Sequence, residues 1–242
     1  MSNFINAIFC IRKDISKKNF EELFNIFENL SCICDPTSIS GYLYVNDESV
    51  LIEHIKSGDQ PLGILEPKSI EEWMMSQGYV SVELTLYVAK KSYLVRLSKN
   101  STINTPSSTI TLSVEEEIFL PKNKIEYSPI NTDEAFDIYK HLLAGLINVT
   151  NPFIGSVDYE ADMLCDSLQD LRSIISWGIY LSHEILQNWS SDEHKKLLLL
   201  AKETQQIGNL GRIFFLHPLA ANQAWTKNHE DFYAIIKKSL RL

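Results

Sequence analysis

Residues 79–88 read YVSVELTLYV. Val80, Val82, Leu84 and Leu86 alternate there with Ser81, Glu83, Thr85 and Tyr87. Successive side chains of an extended chain point to opposite faces, so this period of two predicts a half-buried β-strand. Ser92 to Leu97 (SYLVRL) is its natural antiparallel neighbour across Ala89-Lys90-Lys91. Thr109 to Val114 and Glu117 to Leu120 are further strand candidates, and the Ser/Thr/Asn-rich stretch from Ser98 to Ser108 reads as a loop.

Upstream, Ala7 to Arg12 (AIFCIR) reads as a strand. A helix follows, with Ser16 as its cap and Phe20, Leu23, Phe24, Phe27 and Leu30 on one face. Gly41 to Val45 is a short strand, and the spacing predicts a helix from Asp47 to Ser57 ended by Gly58. Ser69 and Glu72 fit a capping box for a helix that stops near Gly78. Pro121 to Pro129 is polar and turn-rich and marks a boundary.

Downstream, the reading turns helical. Thr132 caps a helix running to about Asn148, another covers Asp158 to Leu171, and a third runs from His194 to Gln206 before Gly208. Ile174 to Leu181 fits a strand or a buried helix equally well. Arg212 to His217 is a buried strand stopped by Pro218, and Glu230 to Leu240 is a final helix. The expected class is α+β: a mainly antiparallel sheet in the N-terminal and middle part, with a largely helical C-terminal part. Residues 1–128 form the strand-rich lobe and residues 129–242 the helical one, unless the two are continuous.

The composition narrows function. A 242-residue chain with 45% hydrophobic residues builds a substantial core. Its net charge of −9 argues against nucleic acid, whose phosphates require clustered Lys and Arg. Its apolar runs, such as Leu197 to Ala201, fall far short of the roughly 20 residues a membrane helix needs. No basic segment followed by an apolar run opens the chain, so no secretory signal is expected. Cys10, Cys32, Cys34 and Cys165 are too few and too unevenly spaced for a disulfide scaffold, and read as thiols in a reducing cytosol. The expected location is cytoplasmic.

The charge is concentrated. Residues 131–170 hold eight acids and one base, Lys140, a local balance of −7. Asp133, Glu134 and Asp137 are explained as the start of a capped helix, where acids favour the dipole. Asp158, Asp162, Asp166 and Asp170 recur at every fourth position and would form one negative stripe on a helix. A solvated face accounts for the stripe, and so does a surface for a basic protein. With Glu160 beside them, and with Tyr159 and Trp225 as contact aromatics, these residues are the candidate partner-binding set.

No catalytic or metal signature stands beside them. His183-Glu184 lacks the second histidine of a zincin, and His194, His217 and His229 are scattered. Cys32-Ile33-Cys34 lacks a second pair for zinc, and there is no calcium loop. Gly208-Asn209-Leu210-Gly211-Arg212 lacks the Lys-Ser/Thr of a phosphate loop and the third glycine of a dinucleotide fingerprint, and reads as a tight turn. There is no G-x-S-x-G elbow. No cofactor, no metal and no enzymatic activity are expected. Sequons at Asn29, Asn100, Asn148 and Asn188 would matter only in a secreted protein.

Residues 152–160 (PFIGSVDYE), 176–181 (SWGIYL) and 208–213 (GNLGRI) give roughly the last 90 residues a resemblance to immunity proteins of bacterial polymorphic-toxin and contact-dependent competition systems. The resemblance implies a stoichiometric inhibitor that binds a cognate toxin. A basic toxin domain, such as a nuclease, would suit the acidic surface. The alternative is an enzyme or ligand-binding protein with a cleft between the lobes, where Asp158, Glu160, His183, Arg212 and His217 converge. A structural component of a larger assembly is the third possibility, and it would show as an exposed apolar patch.

Overall fold

The computed structural model describes residues 4–13, 15–35, 38–45, 48–52, 69–88, 91–101, 108–119, 133–159, 177–216 and 227–240. The expected boundary at 121–129 lies outside them, as does Thr132.

The 79–88 stretch forms β5 (Gly78–Val88), and its partner is β6 (Lys91–Ser101), with Val88 opposite Lys91 and Gly78 opposite Ser101. Next comes β7 (Ser108–Glu115), which pairs with β6, and then the central strand β1 (Phe4–Ile11). On its other edge β1 pairs with β8 (Ile154–Tyr159), followed in space by β9 (Gly178–Ser182), β11 (Gly211–Phe215) and β10 (Glu203–Ile207). Beyond β5 lie β3 (Ser40–Val45) and then β4 (Glu48–Ile52). The short β2 (Cys32–Cys34) pairs with the other end of β5. All eleven strands belong to one antiparallel sheet.

Two apolar layers flank the sheet. On one face Ala7, Phe9, Val82, Leu84, Val95, Leu97, Leu112 and Val157 meet helices α1 (Lys17–Asn29), α2 (Ile70–Met75) and α3 (Asp133–Thr150). Ser16 caps α1, whose Phe20, Leu23 and Phe27 are fully buried, as the spacing predicts. Ser69 caps α2 by accepting from the Glu72 amide, and the Glu72 carboxylate accepts from Lys17 on α1. On the opposite face, under the C-terminal strands, a second layer joins Ile154, Ile179, Leu181 and Phe214 to α4 (His183–Leu186), α5 (Ser191–Leu200) and α6 (Lys227–Leu240).

The C-terminal part is not predominantly helical. It contributes β8 to β11, so the expected fold class is corrected on that point, while its α+β character stands. Several element readings also fail. The helix predicted over 194–206 ends at Leu200, because 203–207 is drawn into a hairpin with β11. Gly208, with φ of +47°, makes that turn, and hydrogen bonds across it outweigh the helix propensity of Glu203 and Gln205. Glu48–Ile52 is a strand where a helix was predicted, and Glu116–Ile118 is a 3₁₀ turn where a strand was predicted.

The cysteine reading also changes. Cys32 and Cys34 are free, and burial pushes each thiol up to about 12, Cys34 with help from the Asp35 charge. Cys10, however, is disulfide-bonded, which weakens the argument for a reducing compartment. Among the described residues no helix is long and apolar enough to cross a membrane.

Candidate functional site

Asp158 does not begin a helix. It lies on β8 opposite Asn6 of β1, because Ile154 and Val157 lock this segment into the sheet on opposite faces. The four-residue stripe therefore loses its first member, since a strand carries no 3.6-residue period. Tyr159 ends the same strand, opposite Ile5. Glu160, Asp162, Asp166, Asp170 and Trp225 lie outside the described residues, as do Glu160 and His217 of the alternative cleft. Lys140, the lone base of the acidic stretch, bonds Asp137 at 2.7 Å and Glu203 at 2.6 Å, tying α3 to β10.

The residues of the alternative cleft that are described do not converge. Asp158 lies at one end of β8, while His183 follows β9 beside the other end of β8. Asp158 is four residue steps along β8 from Ile154, a span of roughly 13 Å. Arg212 is turned to the β10 edge, donating to Gln206 at 2.9 Å. The pKa of His194 is lowered first by burial and then by the Arg212 charge.

Asp158 does belong to a polar surface that sequence reasoning did not assemble. The register sets Asp158, Asn6, Ser113, Arg96 and Glu83 side by side across five strands. They lie on the face opposite the first apolar layer. Arg96 donates to Glu83 at 3.1 Å and lies 4.6 Å from the Phe4 ring centroid. The adjacent row holds Thr111, Ser98 and Ser81, where the Ser98 hydroxyl donates to Ser81 at 2.9 Å and accepts from Tyr79 at 3.3 Å.

Large side chains are exposed toward both ends of β5 on this face. Tyr42 stands opposite Tyr79, Ile33 opposite Thr85, and Tyr87 at the hairpin end of β5. These four are between 41% and 54% exposed. The alternation that buries Val80 to Val88 on one face necessarily turns Tyr79 and Tyr87 to the other. That signal was legible in the sequence; the addition of Tyr42 and Ile33 required the strand order.

The C-terminal ends of β1 and β9 and the N-terminal ends of β8 and β11 border a cleft of about 320 Å³. Arg12, Lys13, Asn151, Phe153, Ser182, His183, Glu184, Asn209 and Leu210 are among its lining residues. Backbone bonds fix its walls: the Phe153 amide donates to Cys10 O at 2.8 Å, Ser182 to Phe153 O at 3.2 Å, and His183 to Leu210 O at 2.7 Å. The Tyr180 hydroxyl donates to the same Leu210 carbonyl at 3.0 Å, and burial pushes its pKa up. Arg12 lies 3.5 Å from the Phe153 ring centroid and bonds Glu184 at 3.1 Å. Among the described residues no cluster of three or more His, Cys, Asp or Glu side chains is placed to hold a metal ion.

No protein-family model matches this chain, and no curated protein sequence matches it.

Proposed function

We propose that the chain is a stoichiometric protein-binding inhibitor of the toxin-immunity kind, directed at a basic toxin domain. The observation that carries this reading is the set of exposed Tyr42, Tyr79, Tyr87 and Ile33 on one rigid sheet face. Tyrosines give large contact area at small entropic cost and are enriched at the centres of protein interfaces. The sheet holds them in place before binding, which reduces the cost of ordering. The net charge of −9 would speed the approach of a basic partner and orient it. Asp162, Asp166 and Asp170, spaced by four in the sequence, would strengthen that field.

The test is binding of the purified chain to the toxin domain encoded beside its gene, by calorimetry at low and high salt. Tyr79→Ala and Tyr87→Ala together are expected to weaken binding by about 2 kcal/mol or more. Asp162→Lys with Asp166→Lys should slow association and reduce the salt dependence. Binding that ignores both pairs of substitutions would reject this surface, and no binding would reject the reading.

A further inference from the structure

The cleft at the strand ends has a different chemistry from the rest of this acidic chain. Its charged residues are Arg12, Lys13 and Glu184, with His183 beside them. Glu184 is committed to Arg12, whose guanidinium lies over the Phe153 ring, so the ammonium of Lys13 sets the local sign. The side chains of Lys13, Asn151, His183 and Asn209 make no hydrogen bond to any described residue. Among the lining residues Ser182 is 6% exposed, and its hydroxyl is buried with no hydrogen-bond partner among the described residues. Burying a hydroxyl unpaired costs stability, and replacing it with a methyl group would remove that cost. Phe153, Pro152 and Leu210 supply an apolar wall. The volume of about 320 Å³ lies in the range of small-molecule sites.

We propose that this cleft binds a small organic carboxylate, gripped by Lys13, Ser182 and Asn209, with its apolar body against Phe153 and Leu210. The Ser182 hydroxyl and the Asn209 amide would donate to the carboxylate oxygens, and Lys13 would supply the charge. The apolar wall favours an organic acid over an inorganic anion of equal charge. This binding is separate from the tyrosine face and does not depend on it.

The experiment is an amide-resolved NMR titration of the full chain with sodium benzoate, sodium acetate and inorganic phosphate, each against sodium chloride of equal ionic strength. Benzoate is expected to give saturable shifts at His183, Asn209 and Leu210, binding about threefold or more tighter than acetate and tighter than phosphate. Lys13→Ala and Ser182→Ala should each weaken benzoate about fivefold. Ser182→Ala should leave the melting temperature of the ligand-free protein unchanged or higher, which separates a binding role from a structural one. Shifts that do not saturate, shifts matched by chloride, tighter binding of phosphate, or variants that bind benzoate like the parent would each overturn the proposal.

Discussion

Tyr139 shows how a single atom can work against a well-packed core. Its ring stacks on Trp177, with centroids 6.2 Å apart and 16° between planes, and meets the edge of Phe119 at 5.3 Å. The residue is fully buried, yet its hydroxyl finds no hydrogen-bond partner among the described residues. Burial drives the phenol pKa far up, so the group stays neutral. Removing an unpaired buried hydroxyl while keeping the ring should help folding. Tyr139→Phe is expected to raise stability by about 1 kcal/mol in urea unfolding; a loss of that size would mean that the hydroxyl has a partner. The spacing places Tyr139 in the helix predicted from Thr132 to about Asn148, but its isolation depends on which rings close around it.

At the scale of elements, α5 and α6 are joined by one carboxylate. Glu193 closes the capping box, accepting from the Ser190 amide at 3.1 Å, while Ser190 Oγ accepts from the Glu193 amide at 3.2 Å. Lys238 of α6 donates to the other oxygen at 2.9 Å. The Lys238 bond first, and the Ser190 bonds second, hold its pKa down to about 2 from an ordinary 4.5. The lowered value means that the folded state favours the ionised form. That stability is present above pH 4.5 and is lost as the pH falls toward 2. Glu193→Gln should therefore lower the melting temperature at pH 7, with the difference from the parent shrinking in acid. Amides of α6 should exchange faster at neutral pH. An equal penalty at pH 7 and pH 2 would remove the ionic explanation.

The β9–β11 pair depends on a glycine in a similar way. A Cβ on Gly211 would collide with the Leu181 carbonyl and lie 2.7 Å from the Tyr180 hydroxyl. Both are held by the sheet and cannot move aside cheaply. Gly211→Ala is expected to cost about 2–3 kcal/mol by chemical denaturation and to disturb the Leu210 wall of the cleft. The helix α1 was legible because its cap and its apolar spacing are local. The strand β10 was not, because only pairing with β11 makes 203–207 extended.

For the whole molecule, the decisive feature is the position of β1. It pairs with β7 on one edge and with β8 on the other, so a single strand joins the strands of both chain halves. Ala7 and Phe9 within it are fully buried. Rupturing β1 would expose both sides of the sheet together, so unfolding should be one cooperative transition. Single-tryptophan variants retaining only Trp73, packed against α1 and β5, or only Trp189, beside α5, should give coincident urea midpoints. Separated midpoints would show two folding units.

The sequence by itself determined which segments alternate, where α1 begins, and that the charge is acidic and uneven. These properties are set by neighbours within a few residues: a cap, a period, a local count. Tertiary structure decided the rest. It placed Asp158 on a strand, made 203–207 extended, and put Tyr42 opposite Tyr79, although 37 positions separate them in the chain. It also brought Lys13, Ser182 and Asn209 to one cleft from three distant segments. The physical reason is that strand pairing is a long-range choice. Backbone hydrogen bonds form equally well with many partners, and only burial of the whole apolar face selects among them.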